Sequence, residues 1–176
     1  MKPTKILLIF LMTLTVLSCK KDDNGGGSSF LLTNANLAGI YNMALLFATI
    51  DQTIDVNGIP VDSNITAEGS TFQLDIIFNE DGTYTAEGQY LLTTTTTAAG
   101  QTETDTEIIV LDEGGTYSLN ANTQTIFLSG SGGELGSGTF DITLFNETQL
   151  QIMQEETILI NGVSADLVTE YHFVRQ

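Results

Sequence analysis

Few side chains in this 176-residue chain could carry out covalent or acid–base chemistry, and the most reactive types occur once each. Cys19 is the only cysteine and His172 the only histidine. A lone cysteine cannot close an internal disulfide. With one cysteine and one histidine, a zinc site of the usual nitrogen–sulfur kind cannot be assembled. A serine–histidine–carboxylate relay could formally use His172, but there is no Gly-x-Ser-x-Gly elbow to present the serine. No catalytic residue and no enzymatic activity are expected. The glycine-rich stretch 129–138 contains no lysine and runs into a strand pattern, whereas a phosphate cradle needs a helix N-terminus. Carboxylates are plentiful: Asp51, Asp55 and Asp62, or Asp112 and Glu113, offer the hard oxygen ligands that calcium takes. Neither group has the spacing of an EF-hand loop. The expectation is therefore no metal and no cofactor.

The thiol of Cys19 has a different use. Lys2 and Lys5 precede an apolar run at residues 6–17, interrupted only by Thr13 and Thr15. That run is shorter than the roughly 20 residues a membrane-spanning helix needs, and it matches the apolar region of a secretory signal. It ends Val16-Leu17-Ser18-Cys19, which resembles the bacterial lipobox. The resemblance implies cleavage after Ser18 and a diacylglycerol thioether on Cys19, so residues 1–18 are read as a lipoprotein signal peptide. The following Lys20, Lys21, Asp22 and Asp23 resemble the short charged signal that directs some lipoproteins to the outer face of the outer membrane. Asn24 and a Gly/Ser run complete a flexible coil, making 19–29 a lipidated tether and 30–176 the folded domain. The implied location is the bacterial outer membrane, lipid-anchored and facing the cell exterior. Two or more acyl chains hold a protein stably on a membrane.

Loss of the signal would leave Lys20, Lys21 and Arg175 as the only basic residues against 22 acids. Such a surface repels phosphate backbones, which are bound through clustered Lys and Arg, so nucleic-acid binding is excluded. It also disfavours docking of the domain on anionic lipid, which leaves membrane attachment to the anchor.

The elements that position these residues read as strands. Residues 71–78 alternate, with Phe72, Leu74, Ile76 and Phe78 on one side, and Asp81-Gly82 supplies a hairpin turn. Tyr84, Ala86, Tyr90 and Leu92 alternate next, and a turn at Ala98-Ala99-Gly100 returns a long Thr-rich hairpin expected to project beyond the core. Further turns are expected at 112–115, 120–123 and 146–149, and Asn161-Gly162 is a two-residue hairpin signal. Residues 30–37 hold at most one short helical turn. The total is eight to ten strands joined mostly by short turns, which makes successive strands antiparallel neighbours. A meander of this kind loses its exposed edges by closing. The expected fold is all-β, an antiparallel up-and-down β-barrel; a β-sandwich is the alternative.

Several segments resemble, in order, the lipocalin-like domains of bacterial surface lipoproteins. Leu37-Ala38-Gly39-Ile40-Tyr41 is similar to their opening Gly-x-Trp segment, residues 78–84 to their Phe-x-x-x-Gly-x-Tyr hairpin, Gly115-Thr116-Tyr117 to a later strand, and Tyr171-His172-Phe173-Val174-Arg175 to their last strand. The resemblance implies that Arg175 closes the barrel over the Tyr41 ring, although Tyr41 stands where the family has Trp. It also implies an interior that holds a small hydrophobic ligand, with Phe72, Leu74, Ile76, Phe78, Tyr84, Tyr90, Phe140 and Ile142 as the candidate lining. The competing expectation is a filled barrel that contacts protein partners through its loops and hairpins.

Overall fold

The computed structural model describes residues 30–130 and 135–176. The signal peptide at 1–18, Cys19, and Lys20, Lys21, Asp22 and Asp23 of the 19–29 tether lie outside the described residues. After a four-residue helix, α1 (Asn34–Leu37), the chain forms eight strands: β1 (Gly39–Val56), β2 (Ile59–Phe78), β3 (Thr83–Ala98), β4 (Gln101–Asn120), β5 (Thr125–Gly130), β6 (Gly138–Phe145), β7 (Gln149–Ile160) and β8 (Val163–Arg175). Each strand pairs antiparallel with the next, and β8 pairs with β1, so the meander closes into a barrel. The expected turn at 112–115 is absent. Register is unbroken from Thr83↔Thr116 to Ala98↔Gln101, and β4 passes straight through Gly114-Gly115.

Turn chemistry fixes the ends. Asn57-Gly58 and Asn161-Gly162 both have two residues at positive φ, the geometry that matches the twist of paired strands. These turns and Ala99-Gly100 cap one end of the barrel, here called the upper end. The base holds α1, the 79–82 and 146–148 turns and both ends of the described chain.

The strands differ in length, and this shapes the molecule. β5 and β6 are short and belong to the base, whereas β1 to β4, β7 and β8 run on past them. Only the base is a complete ring. Its interior is apolar: Tyr41, Leu74, Ile76, Phe78, Tyr84, Ile126, Phe140, Leu150, Ile152 and Phe173 are all buried, and each large side chain of this kind stabilises by about 1.5–3 kcal/mol. Outward positions carry charge, among them Asp75, Glu87, Asp112 and Asp141. This is the inverse of the apolar-out pattern of a membrane-spanning barrel. Register slips in β1 between Asn42 and Phe47 and in β2 between Ser70 and Gln73 lie side by side. These bulges switch the inward set from odd to even numbers in β1 and mark the level where the packed base ends.

Candidate functional site

At the base, Arg175 closes the barrel. Its Nε donates to Tyr41 Oη at 3.1 Å and its Nη2 to the same oxygen at 2.5 Å. Nη2 also donates to the carbonyls of Asn36 and Leu37. Tyr41 Oη in turn donates to Leu37 O at 2.9 Å. The guanidinium carbon lies 5.0 Å from the Tyr41 ring centroid and 5.9 Å from that of Phe30. Tyrosine adds what tryptophan at this position could not, an oxygen that accepts from the arginine. Burial raises the Tyr41 pKa, and the Arg175 hydrogen bond and charge partly offset the rise. This cluster ties α1 to the first strand, β1, and the last, β8, of the barrel.

The eight candidate lining residues come together but leave no usable cavity. Leu74, Ile76, Phe78, Tyr84, Tyr90 and Phe140 are buried core, with Phe72 and Ile142 packed at its margin. Phe78 meets Tyr41 and Tyr117 edge to face at 5.7 and 5.3 Å. The enclosed space lined by Ile76, Phe78, Tyr84, Leu128, Leu135, Ile152, Tyr171 and Phe173 is about 10 Å³, room for one water. A drug-sized ligand needs roughly 300 Å³ or more. Among the described residues the base therefore offers no room for the ligand that the resemblance implies; aromatic and aliphatic side chains fill it. Phe72 covers the top, 5.8 Å from Tyr90. Its ring occupies the place a side chain on Gly69 would take, since a Cβ there would come within 2.7 Å of it.

A plug unforeseen in the sequence completes the filling. Leu135 is buried in the core, its N–H donating to Glu113 Oε1 at 3.0 Å and its carbonyl accepting from Tyr171 Oη at 3.2 Å. Glu113 is one of two buried polar residues among the described residues, only 8 % exposed. Its inward position opposite Ala86 breaks the inside-apolar rule, and this is the one sequence signal that could have found it. Glu113 Oε2 and Tyr84 Oη have no hydrogen-bond partner among the described residues. Burial, then the Glu113 charge, raises the Tyr84 pKa. Tyr117, donating to Asn79 O at 2.5 Å, is pushed up to about 12, first by burial and then by nearby acids.

Above the core no strand among the described residues fills the wall between β4 and β7. Directly opposed residues share a face, so the inward set can be followed upward from Leu46↔Tyr171. It continues as Ala48, Ile50 and Gln52 on β1, Ala67, Ile65 and Ser63 on β2, and Leu167 and Ala165 on β8. On β3 and β4 the same face carries Thr94 and Thr96 beside Glu107, Asp105 and Glu103, and on β7 it carries Glu156 opposite Leu167. The result is an open trough with a small-aliphatic floor and acidic flanks. The convex face at this level bears Asp51 directly across from Asp166. Asn64 donates to Asp51 at 2.8 Å and Thr157 to Asp166 at 3.1 Å, which eases the repulsion.

His172 faces outward, with Nε2 2.6 Å from Glu170 Oε1. Among the described residues no three His, Cys, Asp or Glu side chains are placed to hold a metal ion, and the two carboxylate groups considered for calcium do not converge. No helix of the described chain is long and apolar enough to cross a membrane. Comparison with protein-family models, with curated proteins and with solved structures finds no match.

Proposed function

We propose that this protein is a lipid-anchored surface lipoprotein resembling the lipocalin-like group, whose filled barrel is a rigid support for an open upper half that contacts partners. The observation that carries this reading is the division of the barrel at the level of the two bulges. Below it the interior is packed and both ends of the described chain lie; above it six strands continue with a concave face that no other strand among the described residues closes. A barrel evolved to swallow a small ligand needs space where this one has aromatic rings. The tether would attach at Phe30, beside Arg175 at the base. Eleven residues of linker reach at most about 40 Å, so anchorage at Cys19 would turn the open half away from the membrane.

Two measurements test the reading. Fatty-acid labelling in a bacterial host should mark the mature chain and be lost in Cys19→Ala; unlabelled wild-type chain sinks the anchor. Native mass spectrometry should find the mature protein at the mass of its lipidated polypeptide, with no second molecule. A smaller reading, a small hydrophobic ligand lying on the trough, is favoured by Ala48, Ile50, Ile65, Ala67 and Leu167 on one continuous face. A co-purified amphiphile released by Ile50→Asp would establish it in place of the partner-contact reading.

A further inference from the structure

The open wall leaves a strand edge with an unusual address. β4 pairs with β5 only from Gly115 to Asn120, while its partner on the other side, β3, covers it from Gln101 to Thr116. Along residues 101–111 one edge of β4 therefore has no strand beside it among the described residues. Which backbone groups face that edge follows from the hairpin. The two-residue turn Ala99-Gly100 closes on Ala98↔Gln101, and such a turn closes on a hydrogen-bonded pair. Pairs then alternate, so Thr102, Thr104, Thr106, Ile108 and Val110 turn their N–H and C=O groups away from β3. Their hydroxyls agree: Thr97 and Thr102 approach to 3.2 Å and Thr95 and Thr104 to 3.3 Å, as side chains do in the closer, non-hydrogen-bonded pairs.

Two side-chain rows accompany this edge. The concave row is Glu103, Asp105 and Glu107. The convex row ends in Ile108 and Val110, which are 65 % and 68 % exposed. We infer that the 101–111 edge of β4 accepts an extended polypeptide segment in which Lys or Arg alternates with β-branched or aromatic residues. The added strand would take the five outward N–H and C=O pairs, set its cations against the acid row and lay its apolar side chains beside Ile108 and Val110. A second copy of this chain is a poor occupant. Two such edges joined about a two-fold axis perpendicular to the sheet would bring acid row against acid row, and like charges directly opposed destabilise a strand pair. The same acids that block self-pairing select a basic partner.

This inference rests on the reading of the open half as the contact surface. Its test uses the full mature protein in a neutral detergent and a fluorescent peptide of about ten residues, enough to cover the edge at ~3.4 Å per residue. The peptide alternates lysine with valine; the control has the same composition with all lysines first. The alternating peptide should bind at least about tenfold more tightly than the control, and hydrogen exchange should slow at the amides of Thr102, Thr104 and Thr106. Thr106→Pro removes an outward donor without touching a bond to β3, a place where an edge strand tolerates proline; it should weaken binding about tenfold. Replacing Glu103, Asp105 and Glu107 together by Gln, Asn and Gln should weaken binding similarly and flatten its salt dependence. Equal affinity for the two peptides, or affinity indifferent to Thr106→Pro, would overturn the edge proposal while leaving the contact-surface reading intact. A small molecule found seated on the trough floor overturns that reading instead, whatever the peptide does.

Discussion

Arg175 carries the only positive charge of the folded domain, and it faces a phenol oxygen and two carbonyls rather than a carboxylate. A hydrogen bond to a charged group contributes about 1.5–3 kcal/mol and a cation over an aromatic ring about 0.5–2 kcal/mol. Because these terms share one guanidinium they do not add. Arg175→Met, which keeps the aliphatic stem, should cost about 2 kcal/mol and lower the melting temperature by several degrees. Tyr41→Phe should cost less, and the double variant should fall short of the sum, since the two share a bond. An unchanged melting temperature in Arg175→Met would mean that the cluster is incidental. Tyr117 gives a second residue-level test. Its folded pKa of about 12 lies above the ordinary value of 10. Between those values the folded state keeps a proton the unfolded state has lost, so stability is whole below about pH 10 and declines as pH rises toward about 12. Tyr41 and Tyr84 are raised as well and act in the same direction. Tyr117→Phe should be less stable near neutrality, having lost the bond to Asn79, yet its urea midpoint should fall less steeply above pH 10. An equal slope in both proteins would remove Tyr117 as a cause.

At the scale of elements, strain and register are concentrated where the barrel changes character. Thr71 sits at φ 52° inside the β2 bulge, a left-handed conformation that is an outlier for a β-branched residue and costs on the order of 1–3 kcal/mol. Thr71 is exposed, so Thr71→Gly should raise stability by about 1 kcal/mol, measured as a higher denaturation midpoint with unchanged slope. A lower midpoint would mean that the threonine methyl packs where its exposure says it does not. Gly88 is the opposite case. Its φ is +138° and a Cβ would strike the Gln73 carbonyl, so alanine there would force β2 and β3 apart. Most of these elements were legible in the sequence. Alternation in 71–92 named the inward residues, and the Asn-Gly and Asp-Gly pairs placed the turns. The break expected at 112–115 was misplaced because Gly114-Gly115 reads as a turn. The glycines instead let strands approach closely: a Cβ on Gly115 would collide with the Ser129 carbonyl. The bulges left no mark, since the extra residues sit inside a continuous β pattern. Leu135 and Glu113 were hidden because a plug from a glycine-rich loop and its buried acid carry no periodicity. The trough was hidden because small aliphatic and polar residues alternate there as they would on any half-covered strand.

At the scale of the whole molecule, the domain must keep a long, nearly one-signed set of charges together. Glu87 stands directly opposite both Asp75 and Asp112 on the outer wall, and Glu103, Asp105 and Glu107 line the inner face of the open half. Each such neighbour pair costs a few tenths of a kcal/mol to about 1 kcal/mol. The relieving donors are neutral ones: Asn42 to Asp75 at 2.6 Å, Asn64 to Asp51, Thr53 to Asp62 at 2.9 Å. The repulsion is therefore distributed and exposed, the condition in which dissolved salt screens most effectively, with a Debye length near 10 Å at 0.1 M and about 3 Å at 1 M. The unfolded chain carries the same charges farther apart and is relieved less. Stability should thus rise with sodium chloride between about 0.01 M and 0.5 M, by several degrees in melting temperature, and sodium and potassium should be equivalent. A fall with salt would mean that attractive pairs outweigh repulsive ones, which the one His–carboxylate contact among the described residues, His172 with Glu170, is too little to provide. The increase should be smaller in the Glu103→Gln, Asp105→Asn, Glu107→Gln variant, because that row adds to the crowding in the half of the barrel with the fewest packed side chains to resist it. If the variant kept the full salt increment, the strain would lie in the outer acid row instead, and Glu87→Gln should then account for it.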